Sequence, residues 1–143
     1  MTKKSAKQRG QSLVEIALTL PILIILFLGI AEVGFFLFSH VQIANAARAG
    51  TREGSLCRLN NNCSTLNTVV QTAVYNEAQY LNMTGSNTTV ITQPSNPATN
   101  PAIGTPITVT VTYTHTSPIV SNFIPMFPEQ LPIQHQVVMR FDR

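Results

Sequence analysis

Between Leu13 and Phe38 the chain places only two charged residues, Glu15 and Glu32, in 26 positions. Coiled as an α-helix at about 1.5 Å per residue, this segment extends roughly 39 Å, enough to cross a hydrocarbon core of about 30 Å with some tilt. The segment therefore predicts a single membrane-spanning helix, and the remaining chain must be organised around its ends. Lys3, Lys4, Lys7 and Arg9 precede it and few cations follow nearby, which predicts a cytoplasmic N-terminus and an extracytoplasmic remainder.

A cleavable secretory signal shares the basic start and apolar run, but its apolar region is shorter and ends at a small-residue site. The nearest such match, Ala44-Asn45-Ala46, lies too far downstream. Pro21 removes one helical donor and frees the carbonyl of Ala17, so a kink is expected two turns inside the helix.

The two carboxylates are costly at membrane depth and call for a partner or an aqueous path. Seventeen residues separate them, about 25 Å along a helix, which places them near opposite interfaces. Glu15 suits a helix N-terminus, where the backbone dipole favours an acid, and Glu32 suits a carboxylate reaching the headgroups. Each also fits a contact that fixes the register of neighbouring helices.

Charge argues against several function classes. The formal net charge is +3, yet residues 11–143 hold five Lys/Arg against six Asp/Glu, so the basic character belongs to the leader. No stripe of cations with interleaved aromatics is present to bind nucleic acid. His40, His115 and His135 are the only histidines, and no H-E-x-x-H, G-x-S-x-G or G-x-x-x-x-G-K motif occurs. His115 and His135 fall on the same register face of two strands and are candidates to meet, but without a third ligand, so no metal, cofactor or enzymatic activity is expected.

The ordered features of the N-terminal third carry a resemblance. A basic leader, Gly10, and Glu15 at the fifth position after it resemble the processing site of type IV pilin-like proteins. The longer series Gly10-Gln11-Ser12-Leu13-Val14-Glu15, Leu20-Pro21, Gly29-Ile30-Ala31-Glu32-Val33-Gly34 and Ala46-Ala47-Arg48-Ala49-Gly50-Thr51-Arg52 resembles the TadE-like family of tight-adherence pilus proteins, over residues 9–55.

The resemblance implies an inner-membrane pseudopilin or minor pilin, cut between Gly10 and Gln11 by a prepilin peptidase and needed for pilus assembly. The new α-amino group of Gln11 would then lie within reach of Glu15, and pairing removes two expensive unpaired charges at once. Ile16 follows the glutamate where the major tight-adherence pilins carry tyrosine, which argues against the main filament subunit, as does the length. The implied partners are the prepilin peptidase, other pilins or pseudopilins, and the lipid bilayer. An uncleaved single-pass adaptor or extracytoplasmic binding module is the alternative.

Beyond the span, small residues including Ala46, Ala47 and Gly50 keep a helical composition and let another backbone approach, extending the helix to about Arg52. Arg48 and Arg52, four apart, share one face for headgroups, a helix end or an acidic partner. Cys57 and Cys63 flank the turn-forming Asn60-Asn61-Asn62, and outside the membrane such a pair reads as a disulfide.

An α+β head follows. Leu66, Val69, Val70, Ala73, Val74, Ala78 and Leu81 mark a helical stripe over 66–82. Ile107 to Tyr113 and Ile133 to Phe141 alternate as half-buried strands, with Thr88–Thr92 as a third, predicting one helix packed on an antiparallel sheet. Residues 119–127, with Phe123 and Phe127, are expected to fill the core. The expected plan is a leader (1–10), a membrane helix with its extension (11–55), a disulfide loop (56–65) and the head (66–143).

Overall fold

The computed structural model describes residues 5–57, 63–95, 97, 101–117 and 128–141. Two α-helices, α1 (Ser5–Ser55) and α2 (Leu66–Glu77), are followed by three strands, β1 (Thr88–Gln93), β2 (Pro106–Thr116) and β3 (Gln130–Arg140). The strands form one antiparallel sheet in the order β1-β2-β3. The architecture is α+β, as the sequence predicts, with a long apolar helix and a small head.

α1 runs unbroken for 51 residues through Pro21. Among the described residues its first half is largely bare: Leu13, Ile16, Leu18, Ile22 and Phe27 are all exposed. Its second half changes character. Ile43, Ala46, Ala47, Gly50, Thr51 and Gly54 are buried, spaced three and four apart along one stripe, so the end of α1 is itself a wall of the head.

The small residues on that stripe set how closely α2 approaches. A Cβ on Gly50 would stand 2.6 Å from Val74 Cγ2, and one on Gly54 2.6 Å from Ile107 Cδ1 and 2.8 Å from Val70 Cγ2. Only glycine leaves room there. Ala46, Ala47 and Gly50, read from sequence as a surface for another backbone, thus meet the chain's own core, alongside Leu66, Val70 and Val74 of α2.

α2 ends at Glu77, earlier than the stripe to Leu81 suggests. Ala78 leaves helical geometry, a single tight turn covers Gln79–Leu81, and Asn82 takes a left-handed φ of 46°, which asparagine tolerates better than most residues. The turn still buries Leu81, and the Tyr113 hydroxyl donates to the Leu81 carbonyl at 3.2 Å, tying this corner to β2.

On β2 the alternation is strict: Ile107, Val109, Val111, Tyr113 and His115 are buried, and the intervening threonines half-exposed. The register sets Val109 opposite Val137 and Val111 opposite His135, so β3 turns the same face to the helices. Cys57 and Cys63 form a disulfide with Cα atoms 5.1 Å apart, closing the connection between the helices. Asn60–Asn62, the leader residues Met1–Lys4 and the segment 119–127, including Phe123 and Phe127, lie outside the described residues.

Candidate functional site at the junction of membrane helix and head

α1 supplies two surfaces. The first is the bare apolar cylinder around residues 13–30, whose most apolar 18-residue window has a mean hydropathy of 2.7 and is 0% buried. Among the described residues it is the one helix long and apolar enough to cross a membrane. Gly10 and Gln11 sit exposed within the first turns of the same helix, and Glu15 is exposed one turn later. The Glu15 carbonyl accepts from the Thr19 hydroxyl at 2.8 Å, while its side chain has no partner among the described residues.

The second surface is the junction, where Glu32, Phe36, Ser39, His40 and Ile43 follow one another at helical spacing toward the sheet. Glu32 is buried at this junction. Its side chain is only 7% exposed, at the edge of an almost wholly apolar groove of about 760 Å³ lined by Ile25, Ile30, Glu32, Phe36, His115 and Leu131. This groove continues the bare apolar surface of α1 up to the rim of the sheet.

His115 is held over α1 by two contacts. Its ring meets Phe36 edge-on at a centroid distance of 5.8 Å, and its Nδ1 lies 3.2 Å from the Ser39 hydroxyl. That hydroxyl donates its single hydrogen to the Phe35 carbonyl at 2.9 Å, so His115 must be the donor through Nδ1–H. Its Nε2 is buried and has no hydrogen-bond partner among the described residues.

The two strand histidines do not meet. His115 stands opposite Leu131 and His135 opposite Val111, four residues apart along the ladder, or about 13 Å. Each turns instead to α1, and His135 finds His40 at an Nε2 to Nε2 distance of 3.1 Å, with rings edge-to-face at 4.6 Å. Periodicity gave no sign of this pair, because its members are 95 residues apart and His40 occupies an exposed helix position.

Burial lowers the His135 pKa from its usual value, and the neighbouring His40 and the positive charge of Arg48 lower it further. Unfolded, the imidazole titrates near 6.5 and binds its proton more readily than when folded. The contribution of this group to stability is therefore complete above about pH 6.5 and lost as the pH falls toward the lowered folded value. The head's denaturation midpoint is expected to fall between pH 7 and pH 5 and to do so less in His135→Gln, measured by urea titration at each pH.

Arg48 and Arg52 are exposed, and Arg52 lies in the last turn of α1, where a cation complements the helix dipole. No cluster of three or more potential metal ligands occurs among the described residues. The arrangement offers surfaces for packing.

Comparison with known proteins bears on both surfaces of α1. Residues 10–52 match the TadE-like protein family, a span that begins at Gly10 and ends at Arg52 on the wall of the head. No curated protein and no solved structure matches the chain.

Proposed function

With a TadE-like segment at residues 10–52 as premise, we propose that this chain is a pseudopilin-like or minor-pilin component of a tight-adherence pilus assembly apparatus. It is anchored in the inner membrane with its head outside, processed after Gly10, and acts by packing its helix against other subunits without catalytic turnover. The observation that carries this reading is the coincidence of the matched span with a helix whose membrane half is bare and whose outer half is built into the head. Such a helix presents its apolar side to lipid and to neighbouring helices, while the head stays fixed to it.

In this reading the Gln11 amine released by a prepilin peptidase pairs with Glu15 of the same or an adjacent helix. Glu15→Ala is expected to leave membrane insertion intact and to reduce recovery of co-purified pilus subunits by about tenfold, the equivalent of about 1.4 kcal/mol. Subunit recovery equal to wild type in a quantitative pull-down removes the register role.

An uncleaved single-pass adaptor is favoured by one feature, the continuity of α1 across Gly10 and Gln11 from Ser5 onward. A protease needs extended backbone, so these turns must open before cutting. Glycine makes that opening easier, since it weakens a helix by about 1 kcal/mol relative to alanine. Intact mass and N-terminal sequencing, with and without the peptidase, separate the two readings: a peptidase-dependent start at Gln11 supports the pseudopilin, and a retained leader supports the adaptor.

A further inference from the structure

His40 and His135 belong to different elements, the outer half of α1 and the middle of β3, and nothing in the assembly reading uses them. Their Nε2 atoms converge to 3.1 Å. Two neutral imidazoles at this distance share one hydrogen, one ring donating and the other accepting.

The same separation suits a shared cation. With metal–nitrogen bonds of about 2.05 Å, two nitrogens 3.1 Å apart subtend about 98° at the ion, between the square-planar and tetrahedral angles. We propose that His40 and His135 form a two-imidazole chelate for a divalent transition metal of the zinc and copper class, clamping α1 to β3 just outside the membrane.

The chemistry of the donors and their surroundings selects the ion. Imidazole suits zinc, copper and nickel, whereas calcium and magnesium require oxygen ligands that the pair does not supply. His40 is exposed and His135 half-buried, so an ion reaches the nitrogens from solvent without opening the core. Burial also favours the neutral, ligating form of His135. No third histidine, cysteine or carboxylate completes the set among the described residues, so water or a group from another subunit fills the remaining positions and binding is of micromolar rather than nanomolar strength. Arg48 acts the other way. Its charge reaches His135 and opposes any second cation there.

The test is calorimetric titration of the untagged full-length protein in detergent, stripped with a chelator, with zinc chloride at pH 7.5. One zinc per chain is expected, with affinity reduced at least tenfold in both His40→Gln and His135→Gln and unchanged in His115→Gln. Arg48→Gln should bind several-fold more tightly, a gain that a purely structural role of the pair does not produce. Copper should bind more tightly than zinc at the same pair. Because His40 is exposed, His40→Gln keeps the core and carries the test even where His135→Gln fails to fold. Equal zinc binding by the wild type and His40→Gln, or no saturable binding at millimolar zinc, overturns the proposal and leaves the pair as a hydrogen bond between two rings.

Discussion

Ile43→Asp is expected to unfold the head while leaving the membrane helix in place. Ile43 is 0% exposed and belongs to the same core cluster as Leu66, Val70, Val109 and Val111, although it lies on the helix that carries the candidate membrane span. A carboxylate at this position would be buried in that apolar cluster, and an uncompensated buried charge costs about 3–5 kcal/mol. The head is small, and a domain of this size has only about 5–10 kcal/mol to lose. The expected result is rapid trypsin digestion of residues beyond the membrane segment with undiminished membrane fractionation. A head that resists trypsin as the wild type does would show that α1 does not complete its core.

Phe141→Ala acts at the opposite end of the chain. The ring is 1% exposed, the largest fully buried side chain among the described residues, and the backbone around it is fixed by two bonds: its N–H donates to the Thr105 carbonyl at 2.9 Å, and its carbonyl accepts from the Gly104 N–H at 3.0 Å. That anchoring keeps the neighbouring chain from collapsing into the space vacated, so most of the cavity persists. Truncating a buried phenylalanine in such a setting costs about 3–5 kcal/mol. At roughly 4–8 °C per kcal/mol for a head of this size, the melting midpoint should drop by more than about 12 °C. A drop of only a few degrees in differential scanning fluorimetry would mean that the site collapses and the ring contributes little.

The parts of the fold that can be read from sequence are those whose signal is local. Ile107, Val109, Val111 and Tyr113 alternate with threonines because one face of β2 is buried and the other is wet, and the same reasoning finds β3 and β1. The bare membrane half of α1 is legible for the same reason, and so is the disulfide of Cys57 and Cys63. β3 begins at Gln130 and takes in Pro132, which the alternation from Ile133 does not suggest; at a sheet edge a missing donor costs nothing.

Tertiary features escape such reading. Ala46, Ala47 and Gly50 have the composition of any close helix contact, and small size alone does not say whether the neighbouring backbone belongs to the same chain. Glu32 gives no sign in the sequence of its burial, which depends on the rim of the sheet beside it. His40 carries no periodic signal, and its pairing with His135 depends on the angle at which α1 crosses β3.

Because α1 continues without interruption from its bare apolar half into the wall of the head, the head has no independent azimuth. Each residue added to a helix turns the downstream chain by about 100° and advances it by about 1.5 Å. One residue inserted after Gly34 would swing the head to a different side of the anchor, while seven would return it nearly to its starting direction about 10 Å farther out. The number of residues between the bare apolar half of α1 and Ile43 thus acts as an angular code, setting the compass bearing of the head about the helix that carries it.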